Sequence, residues 1–412
     1  MTSRWLHLVP AGFLMLLAAV YLGAGAFLAT GKILGERHLD IEDDAFVYTG
    51  NASWRDYVDW ASAHLRQWHP EPGGEEIAAN LAPFVLEPDS NCPRTNDGLW
   101  QRGIVLIHGL IDSPYSMRPL GEDLRARCFL VFGLLLPDHG TRPGDMLDSY
   151  WENWLAATHF AAGQLALQAN QVFLSGHSAG GTLAILEAAR NPTVDGLVLF
   201  TPALSITSVS RYARFITPLG LFFPAAAWFE IEADQATYRY ESFPFRGAEE
   251  TWALIRQAWS AMNDRLRQLP VFTLASVQDT TVGTDATLQF MAENTHPDSL
   301  TLLYSQYPVQ APDRVQVFNS SDAESGVLSL SHLGVMTPPD HPWFGRNGAY
   351  RNCGHYDEGT ESFAQCKAGQ REYYGEATAE NLDMGLVERI AFNPWYDAML
   401  MSLENFLGQV SE

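Results

Sequence analysis

From about residue 100 onward, short apolar runs alternate with stretches that carry apolar residues at helical spacing. The apolar runs, which are typical of strands buried on both faces, lie at 103–107, 129–136, 171–174, 196–200, 271–275 and 300–304. The stretches that predict helices lie at 117–127, 149–168, 180–190, 284–294 and 394–407. Because strands that alternate with helices need crossover connections, the pattern predicts an α/β fold with a mostly parallel central sheet and helices on both faces.

One segment interrupts this alternation between the fourth and fifth predicted strands. Residues 202–265 are rich in Phe, Trp, Tyr, Ala and Pro, and they predict a helical cap insertion over the C-terminal edge of the sheet. The predicted organisation is a membrane anchor or signal segment at 1–32, a stem with leading elements at 33–98, the first part of the core at 99–201, the cap at 202–265, and the second part of the core with extended loops at 266–412.

The N-terminal segment is apolar and uncharged over Leu6–Ala29. About 20 residues that rise 1.5 Å each can cross a hydrocarbon core of ~30 Å, so we predict an uncleaved transmembrane helix. The alternatives are a signal peptide cleaved near Ala24-Gly25-Ala26 and a buried helix. The cysteines and the export-like start favour a catalytic domain that is periplasmic or otherwise extracytoplasmic and attached to the membrane through this helix.

Composition excludes some classes of partner. Apolar residues make up 47% of the chain and charged residues 18%, as in a folded protein with a sizeable core. The net charge of −23 disfavours a nucleic-acid partner, because a surface that binds nucleic acid needs clustered Lys and Arg. No cysteine pair has C-x-x-C spacing. Cys353 and Cys366 are a candidate disulfide in a loop-like stretch, with free thiols as the alternative, and Cys128 is assigned to the core.

The strongest chemical signal is Gly176-His177-Ser178-Ala179-Gly180, which fits the pattern G-x-S-x-G. It follows a predicted strand and opens a predicted helix, the context in which this motif presents a nucleophile on a sharp turn. A chance Gly/Ser-rich turn is the alternative, and the strand–turn–helix context disfavours it. We therefore predict that Ser178 is a nucleophile.

A serine nucleophile needs an acid that orients a base. Asp279 follows the predicted strand 271–275, at the sheet edge where ligands bind, and is the predicted acid; an Asx-turn cap is the alternative. Asp322 and Glu324, in a Ser-rich turn, are weaker candidates. Four histidines follow Asp279, and His332, which has apolar neighbours, is the predicted base.

The other three histidines are interpreted as structural: His296, His341 and His355.

An oxyanion hole needs two backbone N–H donors. The predicted donors are Ala179 and Leu110, the latter in the loop after the first clear strand. His108 and Gly109 are interpreted as support for that loop.

Together these residues resemble the α/β-hydrolase superfamily, and within it the branch of monoacylglycerol lipases, carboxylesterases and serine aminopeptidase-like hydrolases. The matching blocks are 105–109, 136–144 (which includes His139), 176–180 and the pair Asp279 and His332. The resemblance implies acyl transfer to water without a metal or cofactor. In two respects the chain departs from compact relatives: about fifty residues separate the acid from the base, and a tail at about 336–380 has no counterpart.

The expected substrate is a small ester with an apolar acyl part, such as a monoacylglycerol, a lysolipid or a short-chain ester, because the aromatic insertion at 202–265 suits an acyl pocket. Ordinary cap core is the alternative explanation for that insertion. A serine aminopeptidase or amidase is a second candidate, since Glu230, Glu232 and Asp234 are available to hold an ammonium group. A non-catalytic, membrane-tethered binding protein is a third.

Overall fold

Twelve strands and twelve helices are present in the computed structural model, which describes residues 11–39, 45–48, 51–232, 234 and 236–410. The strands are β1 (Phe84–Leu86), β2 (Trp100–Ile107), β3 (Phe129–Leu134), β4 (Ala169–His177), β5 (Gly196–Phe200), β6 (Trp228–Glu230), β7 (Phe243–Pro244), β8 (Val271–Ser276), β9 (Leu300–Ser305), β10 (Val315–Asn319), β11 (Tyr373–Gly375) and β12 (Val387–Arg389). The helices are α1 (Ala11–Ala29), α2 (Trp54–Trp68), α3 (Gly74–Leu81), α4 (Pro114–Ala126), α5 (Trp151–Ala166), α6 (Ala179–Arg190), α7 (Ala213–Ile216), α8 (Phe245–Ser260), α9 (Thr284–Glu293), α10 (Glu361–Lys367), α11 (Ala379–Met384) and α12 (Tyr396–Gln409).

Eight of these strands form one sheet in the order β1-β3-β2-β4-β5-β8-β9-β10, and all neighbours are parallel except β1 and β3. The register places Ile107 opposite Gly176 and His177 opposite Phe200. The C-terminal ends of β2, β4 and β8 therefore open at the same edge of the sheet. The prediction of a mostly parallel central sheet is confirmed.

The sheet is buried on both faces because successive side chains of each strand point to opposite sides. One face of the sheet packs against α5 and α6, and its core includes Val105, Ile107, Leu174, Trp154 and Leu183. The other face packs against α4 and α12, and its core includes Ile104, Leu106, Phe173, Leu120 and Leu403. This double burial explains why the strands appear in the sequence as continuous apolar runs.

Between β5 and β8 the chain forms short helical turns, the β6–β7 hairpin and the long helix α8. Helix α8 packs against α6 through buried residues that include Leu254 and Ala258. The segment predicted as a helical cap thus contains a two-stranded hairpin as well as helices. Its position above the C-terminal ends of the strands brings it to the site described below.

The predicted transmembrane helix is wrong: among the residues that the structure describes, no helix has both the length and the apolar character needed to cross a membrane. The predicted span began at Leu6, whereas the described helix α1 begins at Ala11, and residues 6–10 lie outside the described part. The last turns of α1 contact the segment 202–265: the Tyr21 hydroxyl donates to the Phe215 carbonyl (2.6 Å), and Gly25 packs on the Phe223 side chain.

Two disulfides are present among the described residues, and one of them anchors helix α10 through Cys366. Cys353 and Cys366 are bonded, with their Cα atoms 6.0 Å apart. Cys92 and Cys128 form a second bridge (Cα atoms 5.4 Å apart), so the assignment of Cys128 to the core as a lone residue is wrong. The sequence pattern missed this pair because 36 residues separate its members. The bridge ties the loop before β2 to the start of β3.

Candidate active site

Ser178 lies at a sharp turn between β4 and α6, with φ of 54° and ψ of −121°. A side chain at Gly176 would place Cβ 2.2 Å from the carbonyl oxygen of Gly180, and one at Gly180 would place Cβ 2.3 Å from that of Ile107. Both contacts are with backbone, so neither position accepts any residue but glycine without a shift of the chain. The Ser178 N–H donates to the Phe200 carbonyl (3.0 Å), which fixes the strained turn to the neighbouring strand.

Asp279 and His332 meet beside this turn, with Nδ1 of the imidazole 2.6 Å from Oδ2 of the carboxylate. The other oxygen of Asp279 accepts the N–H groups of Thr281 (2.8 Å) and Val282 (3.0 Å). Burial raises the pKa of Asp279, but the adjacent imidazole and these hydrogen bonds outweigh it, and they hold the pKa below its usual range. Ser178 lines the same cavity as His332, and within the described residues its hydroxyl has no hydrogen-bond partner.

Two backbone N–H groups are available next to Ser178. Among the described residues, neither Leu110 nor Ala179 donates its N–H to an intramolecular acceptor. Ala179 is the first residue of α6, where the helix leaves N–H groups unpaired and favours negative charge. A Cβ at Gly109 would lie 2.9 Å from Nδ1 of His177, so glycine is what lets the loop approach the turn.

Buried neutral histidines hold the loop that carries Leu110. His108 donates from Nδ1 to the Gly109 carbonyl (2.7 Å) and accepts the Leu136 N–H at Nε2 (3.0 Å). His139 accepts the Ile111 N–H at Nε2 (3.2 Å). Burial lowers the pKa of His108 well below its usual value and that of His139 to about 4. Both rings are therefore neutral at pH 7 and can accept these backbone hydrogen bonds.

His177, the residue before the predicted nucleophile, contacts the predicted base. Its Nε2 donates to the main-chain carbonyl of His332 (3.1 Å). Burial and, to a smaller extent, the nearby imidazole of His332 lower the pKa of His177 to about 3. The side chain thus acts as a neutral donor that fixes the backbone of His332 relative to the turn.

An ion pair between Glu376 and Arg389, which the sequence did not predict, contacts the surroundings of both Asp279 and His332. The His332 N–H donates to Oε2 of Glu376 (3.2 Å). Arg389 contacts Glu376 through Nε (2.5 Å) and Nη2 (3.0 Å), and Nη2 also donates to the Thr281 hydroxyl (2.6 Å). The Glu376 side chain is fully buried. The only sequence signal was the apolar run at 386–392 that Glu388 and Arg389 interrupt.

Ser178, His332, Leu110, Ala179 and Arg389 line a cavity of about 370 Å³. Its apolar wall includes Leu110, Ile206, Phe229, Phe243, Phe245 and Val282. Its polar wall includes Asp112, Glu230, Arg239, Glu241, Asn352 and Arg389. Three regions of the chain therefore build the cavity: the loops at the sheet edge, the segment 202–265 and the tail.

The cap carboxylates considered for an ammonium group differ in position. Glu230 lines the cavity and contacts Glu232, whose pKa burial and then the Glu230 charge raise to about 8. Asp234 is bonded to Nε2 of His38 (3.0 Å) and to the Ser242 hydroxyl (2.6 Å). Only Glu230 of these three is a lining residue.

The remaining candidate acids and bases are outside the cavity: Asp322, Glu324, His296, His341 and His355. Asp322 is bonded to the Ser325 hydroxyl (2.5 Å) in its own turn. His355 contacts the Val387 carbonyl at 3.1 Å. The structure therefore brings together Asp279 and His332, the pair that the sequence analysis favoured.

The fold and the sharp strand–helix turn at Ser178 define an α/β hydrolase. The chain belongs to the alpha/beta hydrolase family, whose family model matches residues 104–342, more than half of the chain.

A thermostable monoacylglycerol lipase from Bacillus sp. (strain H-257) is 32% identical over 108 residues, which are 26% of this chain and 43% of that protein. The chain thus matches less than half the length of this curated relative. Among solved structures, a monoglyceride lipase from Saccharomyces cerevisiae is 14% identical, with 54% of this chain and 82% of that chain covered and a TM-score of 0.44. A monoacylglycerol lipase from Paleococcus ferrophilus is 19% identical, with 54% and 88% covered and a TM-score of 0.43.

Proposed function

We propose that this protein hydrolyses carboxylic esters through Ser178, His332 and Asp279. Ser178 attacks the ester carbonyl while His332 takes the hydroxyl proton, and Asp279 orients the imidazole and stabilises its positive charge. The contact of 2.6 Å between Asp279 and His332, in the cavity that Ser178 lines, is the observation that carries this proposal.

The two free N–H groups of Leu110 and Ala179 suit the oxyanion of the tetrahedral intermediate. His332 then gives its proton to the leaving alcohol, which leaves an acyl group on Ser178. Water, activated by the same imidazole, releases the acid and restores the serine. Every proton in this cycle passes through His332, and no cofactor enters the balance.

We propose that the acyl part of the substrate is apolar, as in a monoacylglycerol, a lysolipid or a short-chain ester. The apolar wall of the cavity supports this, because it includes three phenylalanines of the segment 202–265. The resemblance to a monoacylglycerol lipase over 108 residues supports the same class.

Hydrolysis of p-nitrophenyl esters from acetate to laurate tests the proposal and ranks the chain lengths. We expect turnover of these esters, labelling by a fluorophosphonate probe, and loss of both in Ser178→Ala. Faster turnover of an aminoacyl-nitroanilide than of p-nitrophenyl butyrate would favour the aminopeptidase. Folded protein that neither labels nor turns over any ester would favour a binding protein.

We also propose that the protein works in an oxidising compartment outside the cytoplasm. The two disulfides support this, because such bonds persist where glutathione and thioredoxin do not reduce them. Mass spectrometry of alkylated protein isolated from its native host tests the proposal. We expect all four cysteines to resist alkylation before reduction, and four alkylated thiols would contradict it.

A further inference from the structure

Two of the five Asp, Glu and Arg side chains that line the cavity have a partner of opposite charge. Arg389 is paired with Glu376 (2.5 Å), and Glu241 is paired with Nζ of Lys367 (3.1 Å). These contacts neutralise one guanidinium and one carboxylate at the polar wall. A substrate that enters the cavity therefore meets little net charge from either pair.

The other two carboxyl groups of the polar wall are held in environments that favour the neutral form. Burial raises the pKa of Glu230, which is hydrogen bonded to Glu232. Burial also raises the pKa of Asp112, whose Oδ2 accepts the Ser116 hydroxyl (2.7 Å). Neither carboxyl is bonded to a cation among the described residues.

Arg239 is different, because its guanidinium makes no hydrogen bond and no ion pair within the described residues. Its Nε is buried without a partner. The guanidinium carbon lies 5.7 Å from the ring centre of Tyr350, which gives the side chain a face to pack on, and no carboxylate forms an ion pair with it among the described residues. A guanidinium whose Nε is shielded from water loses part of its hydration, and a group of opposite charge that joins it compensates for that loss.

The backbone on both sides of Arg239 is tied to the loop that carries the free N–H of Leu110. The Tyr240 N–H donates to the Ile111 carbonyl (2.8 Å), and the Ser113 hydroxyl donates to the Tyr238 carbonyl (2.7 Å). Tyr238 and Tyr240 are both buried. The loop that carries Leu110 (residues 108–111) is called the oxyanion loop. The position of Arg239 relative to this loop is therefore set by the fold.

Arg239 is also within electrostatic reach of residues on both sides of the reacting centre. Burial raises the pKa of Asp112, and the charge of Arg239 opposes that rise. Burial lowers the pKa of His177, and the charge of Arg239 adds to that fall. Arg239 lines the same cavity as Ser178 and Leu110, so its side chain borders the space where a substrate would lie.

We propose that Arg239 binds an anionic oxygen group, a carboxylate or a phosphate, on the ester substrate. The planar fork of a guanidinium matches both groups with paired N–H donors. This inference rests on the proposed ester hydrolysis and narrows its substrate class: the preferred ester has an apolar acyl chain and one anionic group.

Matched substrate pairs test this inference and distinguish the two anions. The first pair is p-nitrophenyl hexanoate and the mono-p-nitrophenyl ester of adipic acid, which differ by a terminal carboxylate. The second pair is 1-lauroylglycerol and 1-lauroylglycerol 3-phosphate. The measured quantity is kcat/KM for the charged member of a pair divided by kcat/KM for its neutral member. In the pair whose anion Arg239 binds, we expect Arg239→Met to lower this ratio by about tenfold or more.

Arg239→Lys should retain part of that ratio, since it keeps the charge but loses the fork. Arg256→Met is the control, because Arg256 is exposed on α8 and is not a lining residue; its ratio should equal that of the unchanged protein. Equal ratios for Arg239→Met and the unchanged protein in both pairs would overturn the inference. Turnover of the neutral esters in that case would leave the proposed hydrolysis standing.

A binding measurement gives a readout that needs no turnover. Calorimetric titration of adipate and of inorganic phosphate into Ser178→Ala should detect one of them, and the double variant with Arg239→Met should bind it at least about tenfold more weakly. No difference between these two proteins for either anion would contradict the inference, even if no ester is hydrolysed.

Discussion

Two regions position the proposed reacting groups of this protein, and they do so by different means. The nucleophile turn (residues 176–180) depends on backbone geometry: two glycines admit close backbone contacts, and the strained Ser178 is bonded to a strand. The tail ion pair (Glu376 and Arg389) depends on side-chain charge and comes from residues about two hundred positions further along the chain. One region is local and steric, and the other is distant and electrostatic.

The difference determines how each region should fail. A backbone contact of 2.3 Å cannot relax when a methyl group is added, so a small change at the nucleophile turn should disrupt the fold around it. A buried ion pair loses its function when one charge is removed, while the backbone can stay in place. Substitutions in each region test this contrast.

Gly180→Ala should have the largest effect. The new Cβ would lie 2.3 Å from the Ile107 carbonyl oxygen and 2.4 Å from that of His108, so we expect little folded protein and no measurable ester hydrolysis. The control is Gly163→Ala, an exposed position within α5 where a Cβ has nothing within 4 Å. That change should stabilise the protein by about 0.5–1 kcal/mol, as alanine favours a helix. Soluble yield and thermal melting measure both, and a fully active Gly180→Ala would contradict the steric account.

Glu376→Gln should have the next largest effect. It leaves the Arg389 charge buried without its partner, which costs about 3–5 kcal/mol of unfolding free energy. It also weakens the hydrogen bond to the His332 N–H, and a displaced imidazole should lower kcat by about a hundredfold with a smaller change in KM.

Glu388→Gln separates positioning of His332 from stability alone. Glu388 is also buried in the tail and pairs with Arg371 (2.8 Å), but it makes no contact with the residues of the candidate triad. We expect a lower melting temperature with kcat per folded molecule unchanged. Equal loss of kcat in both variants would reduce the tail ion pair to a purely structural role.

The same contrast explains which features could be predicted from the sequence. The nucleophile turn leaves a local signature, because its glycines and serine must lie at fixed spacing, and the doubly buried strands appear as apolar runs. Asp279 was predictable because it directly follows such a run. These features depend on residues that are close in sequence.

The features that sequence analysis missed depend on contacts between distant residues. Nothing near Glu376 indicates that its partner is Arg389, and Cys92 gives no sign that Cys128 is its partner. Strand β10 was missed because its side chains are mostly exposed, which removes the apolar run. The N-terminal segment was over-interpreted, because an uncharged apolar stretch also suits a helix that packs on protein, as α1 does at Gly25.

Removal of each disulfide in turn should distinguish the tail from the rest of the fold, with a smaller effect on kcat than Glu376→Gln. Loops of 13 and 36 residues correspond to about 3 and 4 kcal/mol of unfolding free energy for Cys353–Cys366 and Cys92–Cys128. The Arg389 N–H donates to the carbonyl of Asn352, the neighbour of Cys353. Replacing both cysteines of either disulfide with serine should therefore lower the melting temperature. Only the loss of Cys353–Cys366 should also lower kcat. A lower kcat in the other variant alone would reverse this assignment.

The smallest effect at neutral pH should come from His139→Gln, which tests how the oxyanion loop responds to acid. Burial lowers the pKa of His139 to about 4, below the ~6.5 of an unfolded chain. The unfolded state therefore binds more protons in this interval, and the contribution of His139 is complete above pH 6.5 and lost as pH falls towards 4. The expected slope is about 1.4 kcal/mol per pH unit.

Glutamine can still accept the Ile111 N–H but does not titrate, so the unfolding free energy of the variant should fall less steeply between pH 6.5 and 4.5. His108 and His177, which burial also keeps neutral, should leave a residual slope. Denaturant titrations at each pH measure the slopes, and identical slopes would mean that protonation of this ring does not open the loop.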